Sequence, residues 1–187
     1  MKSPICEICL KSSILCSACQ EKLSQGELTN KDIDILTLLY KESEKNKALS
    51  NIEVKKIITS NDIVLIVCNS GNAAKIVGRG GFFVKRLQDI AKKPVRVVEE
   101  SDDPRKFLQN ILLPVPIINL NVLYTPRGDK YRIVIPRDSR LPMPLKTFIS
   151  LANDLLKKEV EVAFDGRTEK KETIEDKIHR LVKGMKR

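Results

Sequence analysis

Four of the five cysteines stand close together near the start of the chain, in the pattern C-x2-C-x6-C-x2-C. Each C-x2-C pair can hold one side of an ion, and four thiolates complete the tetrahedral shell that Zn²⁺ prefers. In a reducing compartment such clusters bind metal more often than they form disulfides. The pattern predicts one structural Zn²⁺, held by Cys6, Cys9, Cys16 and Cys19.

The spacing of these cysteines leaves two other chemistries open. One is an iron–sulfur cluster, although the spacing departs from ferredoxin patterns. The other is a redox C-x2-C site, although no thioredoxin-like βαβ pattern surrounds it. The short x6 spacer predicts a compact, knuckle-like hairpin with little core of its own, which the metal stabilises. Cys68 lies in an apolar run and is interpreted as a small buried residue.

A second stretch with chemical potential contains the motif Gly78-Arg79-Gly80-Gly81. Glycines let a backbone turn tightly and approach a bound chain, because no side chain stands in the way. A helix that begins just after the loop directs its free N–H groups at it and favours an anion there. The alternative is a simple glycine turn between two packed helices. The residues predicted to contact a nucleic acid are Lys75, Ile76, Val77, Gly78, Arg79, Gly80, Gly81, Phe82, Val84, Lys85 and Arg86.

The elements around this motif predict a unit with the order α-β-β-α-α-β. Thr29 or Asn30 caps the first helix, and Pro94 ends the last one. β-branched apolar runs predict the strands, and apolar residues at helical spacing predict the helices. The predicted elements are a helix over 29–49, strands over 51–60 and 63–68, helices over 73–77 and 82–92, and a strand over 95–99.

This unit resembles a type II, prokaryotic KH domain, in which a GXXG loop clamps about four nucleotides of a single strand. More broadly, the chain resembles the archaeal NusA-like proteins, which carry two tandem KH domains. The resemblance implies binding of single-stranded RNA in transcription elongation or termination, here with an added N-terminal zinc module. It covers about residues 62–164. The segments that carry it are IVGRGG (76–81), VKRL (84–87), VRVVE (95–99) and DPRKFLQNILLP (103–114).

The second half of the chain predicts a similar unit without the loop. Residues 137–144 (RDSRLPMP) stand where the GXXG motif would be. The prolines remove N–H donors, and Leu141 and Met143 add bulk. We interpret this unit as a degenerate KH domain that is a structural or protein-binding partner. Its predicted elements are strands over 117–124 and 130–135, a helix over 143–158 and a strand over 160–164.

Charge and composition limit the classes of function. The formal net charge of +10 favours an acidic partner such as a nucleic acid or the ribosome. No apolar run approaches the roughly 20 residues that span a membrane, and no secretory signal precedes the cysteines, so we expect a cytoplasmic protein without a membrane partner. The single histidine, His179, has no nearby catalytic set, so we expect neither an enzyme nor a small-molecule substrate.

The sequence therefore predicts an α+β protein in five parts. These parts are a four-cysteine zinc knuckle or finger over 1–25, KH domain 1 over 29–101, a helical linker over 102–116, a degenerate KH domain 2 over 117–165, and a basic amphipathic helix over 166–187.

Three functions from different classes follow from this organisation. The first is a NusA-like factor that binds single-stranded RNA, either a nascent transcript or rRNA. The second is an assembly protein whose zinc module and degenerate KH unit bind RNA polymerase or the ribosome. The third is an oxidoreductase that uses the C-x2-C pairs, which one tightly held Zn²⁺ would exclude. The C-terminal helix either packs on the KH units or folds on RNA.

Overall fold

A computed structural model of the chain describes residues 1–126 and 128–166, so the predicted C-terminal helix lies outside the described residues. Helices and two three-stranded sheets give the α+β class that the sequence predicts. No helix in this part of the chain has the length and apolar character needed to cross a bilayer. The helices are α1 (Glu7–Ser12), α2 (Ser17–Ser24), α3 (Asn30–Lys45), α4 (Lys47–Ser50), α5 (Ala73–Val77), α6 (Phe82–Ala91), α7 (Pro104–Leu112) and α8 (Leu145–Leu156). The strands are β1 (Val54–Thr59), β2 (Val64–Cys68), β3 (Val95–Glu99), β4 (Asn119–Thr125), β5 (Gly128–Pro136) and β6 (Glu159–Asp165).

The first unit, from α3 to β3, has a mixed sheet in the order β1-β2-β3. β1 pairs antiparallel with β2, and β2 pairs parallel with β3. A parallel pair needs a crossover connection, and here α5 and α6 supply it. The predicted order α-β-β-α-α-β is present with one addition, because the helix predicted over 29–49 is divided into α3 and α4 at Asn46, whose backbone is extended and whose side chain caps α4. The start of α3 is fixed by a capping box, in which Thr29 accepts from the N–H of Asp32 and Asp32 accepts from the N–H of Thr29.

The second unit, from α7 to β6, repeats this sheet with two helices fewer. β4 pairs antiparallel with β5, and β5 pairs parallel with β6. α7 precedes β4 as α3 precedes β1, and it lies inside the segment predicted as a helical linker. Only α8 connects the parallel strands β5 and β6. Two small sheets of the same topology therefore follow each other along the chain.

Strand β2 lies between two hydrophobic cores, and each of its faces packs into one of them. All five residues of β2 are buried, and successive side chains of a strand point to opposite faces. Val64, Ile66 and Cys68 belong to the first core, which contains residues of α1, α3, α5 and α6. Leu65 and Val67 belong to the second core, which contains residues of α7, β5 and α8.

The cysteine segment differs from the predicted knuckle-like hairpin, because it forms two short helices. Cys6 and Cys16 occupy the N-cap positions of α1 and α2. The segment is also part of the first core, in which Cys9, Leu10 and Cys19 are buried. Helical periodicity places Cys9 and Leu10 on the buried side of α1, which contacts α3, while Ile8 on the other side stays exposed.

Candidate metal centre and nucleic-acid interface

The sulfur atoms of Cys6, Cys9, Cys16 and Cys19 converge on one point, as the spacing predicts. The four atoms lie within 4.8 Å of one another. The Sγ of Cys6 is 3.2 Å from the Sγ of Cys9 and 3.9 Å from the Sγ of Cys16. Four thiolates at Zn–S distances of about 2.3 Å around one tetrahedral ion would be about 3.8 Å apart. The cluster therefore has the size of a single-ion site, whereas an iron–sulfur cluster would hold its ligands further apart.

Hydrogen bonds and burial shift the pKa values of the clustered thiols in different directions. The N–H of Cys16 donates to the Sγ of Cys9 at 3.1 Å. The N–H of Cys19 donates to the sulfur of Cys16 and, together with a hydrogen bond from Cys9, lowers the pKa of Cys16 to about 7. The thiolate is the form of cysteine that binds metals, and it is negatively charged. Although the Cys16 N–H lowers it, hydrogen bonds with the neighbouring thiols raise the pKa of Cys9 to about 12, and burial raises the pKa of Cys19. Binding of a metal ion would therefore displace protons from these thiols.

Contacts between α1 and Tyr40 of α3 attach the cysteine cluster to the first unit. The Tyr40 hydroxyl donates to Oε1 of Glu7 at 2.9 Å, and its ring is buried. The ammonium of Lys11 is 2.9 Å from the same carboxylate and 6.0 Å from the ring centroid. Hydrogen bonds from Lys11 and Tyr40 lower the pKa of Glu7. The metal centre and the first unit are thus packed into one body.

The GXXG motif forms a loop between α5 and α6 that requires glycine. Gly78, Gly80 and Gly81 have φ values of +74°, +61° and +75°, a region that L side chains rarely adopt. A Cβ on Gly78 would lie 2.4 Å from Cδ2 of Phe83. A Cβ on Gly80 or Gly81 would meet nothing within 4 Å. Gly78 therefore lets Phe83 pack against the loop, while the space beside Gly80 and Gly81 is open.

The surface around the loop is cationic. The side chains of Lys75, Arg79 and Lys85 are exposed, as a phosphate contact requires. α6 begins at Phe82 directly after the loop, and the N–H groups of a first helical turn have no acceptor within their own helix. The N–H groups of Gly81 and Phe82 already donate to the carbonyls of Gly78 and Arg79, so an anion at the loop would rely on the N–H groups that follow Phe82 and on the side chain of Arg79. The arrangement can hold the phosphates of an extended nucleic-acid strand.

Two of the predicted contact residues have other partners in the structure. Ile76 is 0 % exposed and packs in the first core, so its side chain supports the loop from below and does not reach a base. Arg86 pairs with Glu42 of α3, at 2.6 Å between Nη1 and Oε1. Val77 and Val84 are half-buried, which leaves part of each side chain on the surface. No local pattern could reveal the Arg86 pair, because its two residues lie 44 positions apart.

The two phenylalanines after the loop differ in environment. Phe83 packs against the first core, and Phe82 is 58 % exposed. Their rings meet edge to face at 5.6 Å, and the guanidinium of Arg86 lies 5.9 Å from the centroid of Phe82. An exposed aromatic ring beside a cationic loop can stack on a base, because every base has a π-face.

The turn that precedes α8 in the second unit is filled by side chains. Met143 is 5 % exposed and belongs to the second core, and Leu141 packs against the same core. Pro142 and Pro144 have no N–H to offer a ligand. Arg137 and Arg140 are exposed. This turn has cationic side chains in common with the GXXG loop, but it lacks the loop's glycines.

Comparisons with known proteins find partial similarity in sequence and a shared fold. No protein-family profile matches the chain. A segment of 69 residues is 29% identical to a protein of Methanocaldococcus jannaschii named "Probable transcription termination protein NusA". That match spans 37% of this chain and 38% of the NusA protein, well under two thirds of its length.

A solved structure shares the fold. The crystal structure of APE1850 superposes with a TM-score of 0.54 at 19% sequence identity. The superposition covers 73% of this chain and 100% of APE1850. At this identity the likeness concerns the fold alone.

Proposed function

We propose that the protein binds single-stranded RNA and that the GXXG loop of its first unit grips the strand. The observation that carries the proposal is an open loop with three glycines at positive φ, placed at the N-terminus of α6 and flanked by exposed Arg79 and Lys85. Type II KH domains grip a single strand with such a loop. The order of elements from α3 to β3 fits this fold, and the second unit fits a degenerate copy of it.

The proposed setting is transcription elongation or termination in the cytoplasm, with a nascent transcript as the ligand. The segment similar to NusA supports this setting. The proposed role is binding without catalysis, and the net charge of +10 suits an RNA partner. We further propose that the four cysteines hold one structural Zn²⁺, which the size of the sulfur cluster supports.

A second candidate role is assembly on RNA polymerase or the ribosome, with the metal module as a protein contact. The observation that favours it is the exposure of two large aliphatic side chains beside the metal ligands. Ile8 stands between Cys6 and Cys9 and is 76 % exposed, and Ile14 precedes Cys16 closely and is 74 % exposed. Both roles can coexist, since the module and the loop are different surfaces.

Charge reversal in the two units tests the proposed RNA site. Arg79→Asp removes a cation from the GXXG loop, and Arg140→Asp makes the same change of charge in the turn of the second unit. Fluorescence anisotropy with a labelled single-stranded RNA should show a loss of affinity of at least about tenfold for Arg79→Asp and little change for Arg140→Asp. Both residues are exposed, so circular dichroism should show an unchanged fold.

The salt dependence of the same binding reaction gives an independent reading. The slope of log K against log salt should become less steep for Arg79→Asp by about one phosphate contact. Equal losses in both variants would mean that the chain binds RNA only through its overall charge. Undetectable binding of the unmodified protein to RNA would favour the assembly role.

A further inference from the structure

The first unit has three aromatic side chains, and one of them is left on the surface beside the GXXG loop. Tyr40 is 5 % exposed, and Phe83 packs against the first core. Phe82 is 58 % exposed, and it is the first residue of α6. A ring at this position is next to any strand that the loop holds. Its chemistry therefore affects which strand the loop accepts.

The ring of Phe82 is held by two neighbours that are themselves fixed. The ring of Phe83 meets it edge to face, with the two centroids 5.6 Å apart. The guanidinium of Arg86, one helical turn further along, lies 5.9 Å from its centroid. Arg86 is held in turn by Glu42, whose side chain is only 12 % exposed. A ring that is already positioned loses little conformational freedom when a ligand stacks on it.

The cations beside the ring place a phosphate backbone within reach of it. Arg79 stands in the loop three positions before Phe82, and Lys85 lies three positions after it, on the neighbouring turn of α6. Both cations are exposed. The space beside Gly80 and Gly81 is open, so a strand can approach the loop closely. A nucleotide whose phosphate contacts these cations has its base near the Phe82 ring.

We propose that Phe82 is a stacking platform that makes the GXXG loop prefer a purine at one position of the bound strand. The inference rests on the proposed function, because it needs an RNA strand in the loop. Stacking contacts the face of a base and not its hydrogen-bonding edge, so the preference follows the area of that face. A purine has two fused rings and a pyrimidine has one. Adenine and guanine are therefore preferred over uracil and cytosine at the position that reaches Phe82.

The surroundings of Phe82 favour a base over an apolar protein surface as its contact. The next exposed residues of α6, Lys85 and Asp89, are charged. Charged residues are depleted at the centres of protein interfaces. A nucleotide brings a flat π-face together with a negative charge, so it can engage the ring and the nearby cations at once. A single exposed ring beside Arg79 and Lys85 matches that combination.

A comparison of two RNA strands tests the platform. The labelled strands have equal length, and one contains only uridine while the other has a single central adenosine. By fluorescence anisotropy, the unmodified protein should bind the adenosine strand at least about threefold more tightly. Phe82→Leu keeps an apolar side chain but has no π-face. It should remove this preference and weaken binding of the adenosine strand at least about fivefold.

Two further variants are the controls for this comparison. Phe82→Tyr keeps an aromatic ring and should keep both the affinity and the preference for adenosine. Phe164→Leu makes the same chemical change at a phenylalanine that is 46 % exposed on β6, and it should change neither. Circular dichroism confirms that each variant is folded.

A tryptophan at the same position reports the contact directly. The chain contains no tryptophan, so Phe82→Trp has a single indole. A base that stacks on the indole should quench its fluorescence as the adenosine strand is added, with the same midpoint as the anisotropy titration. Phe164→Trp, the matched control, should bind the strand without quenching.

Two negative results separate the platform from the proposed function. Binding that Arg79→Asp weakens, but in which Phe82→Leu changes neither affinity nor base preference, would overturn the platform alone, including the case in which Phe82 contacts a protein. Absence of RNA binding by the unmodified protein would refute the platform and the proposed function together. Tighter binding of the all-uridine strand by the unmodified protein would contradict the purine preference.

Discussion

The first and second units have the same strand order but use the segment before their main helix in opposite ways. In the first unit this segment is the GXXG loop, which has open space at Gly80 and Gly81. In the second unit it is the 137–144 turn, which places Met143 in the hydrophobic core. The contrast shows that one scaffold can support either a binding loop or a packed turn. The difference depends on whether side chains, such as that of Met143, fill the space before the main helix.

The two units also differ in what packs against their first helix. α3 of the first unit supports the metal module through Tyr40, and buried Cys9 and Cys19 extend the first core into that module. α7 of the second unit packs instead against the other face of the first sheet, where Asn110 donates to the carbonyl of Glu99. Among the described residues, the first unit is therefore the one that packs against the four-cysteine cluster.

Metal removal should have the largest effect on stability, and it should affect the first core more than the second. A chelator should lower the free energy of unfolding by several kcal/mol, because structural zinc supplies folding free energy. Hydrogen exchange should accelerate first in α1, α2 and α3. RNA affinity should fall with it, since α6 packs on the same core. Urea titrations with and without chelator, monitored by circular dichroism, measure the loss.

Cys19→Ser provides the control for this experiment. It removes one ligand, so the chelator should have little further effect on this variant. Elemental analysis should give one zinc per chain for the unmodified protein. Faster exchange in α8 than in α3 after metal removal would contradict the assignment of the metal centre to the first core.

Met143→Ala should affect stability in the second unit without affecting binding. Truncation of a buried Met typically costs about 2–5 kcal/mol, because it leaves a cavity. Thermal and urea unfolding measure this cost, and anisotropy with single-stranded RNA should give an affinity close to that of the unmodified protein. A large loss of affinity in the folded variant would mean that the 137–144 turn takes part in RNA binding and that the two units are less different than proposed.

Gly78→Ala should have a smaller effect on stability. Gly71→Ala, at another glycine with positive φ, serves as the comparison. The Gly78→Ala variant combines positive φ with a Cβ 2.4 Å from Phe83, whereas Gly71→Ala combines a φ of +77° with open space. We expect a loss of about 1–3 kcal/mol for Gly78→Ala and a smaller loss for Gly71→Ala. The difference, read from urea unfolding, reports the contact with Phe83 together with the backbone strain at Gly78, whose ψ of 171° at positive φ is essentially restricted to glycine. Equal losses would show that this contact moves aside at no cost.

The sequence was informative wherever the signal was local. Apolar runs such as 63–68 predicted the strands, and the Thr29 cap and Pro94 marked helix ends. The cysteine spacing predicted the sulfur cluster, and the glycines predicted the loop between α5 and α6. Each of these signals depends on residues a few positions apart, and backbone preference translates them directly into structure.

Features that depend on distant residues could not be predicted in the same way. The burial of Ile76 and the pairing of Arg86 with Glu42 result from the packing of α5 and α6 against the first core and α3. The packing of the cysteine segment in the first core is likewise not encoded by the x6 spacer. The sequence also did not reveal that alternate residues of β2 belong to different cores, because a strand buried on both faces is apolar throughout.

The position of β2 between the two cores has a consequence for how the molecule opens. Val64 and Leu65 are neighbours in sequence, yet they lie in different cores, so neither core can lose β2 while the other stays whole. The amides of β2 should therefore exchange only through global unfolding, the slowest class of opening. A shared central strand of this kind lets outer loops open locally while the two units keep a constant spacing.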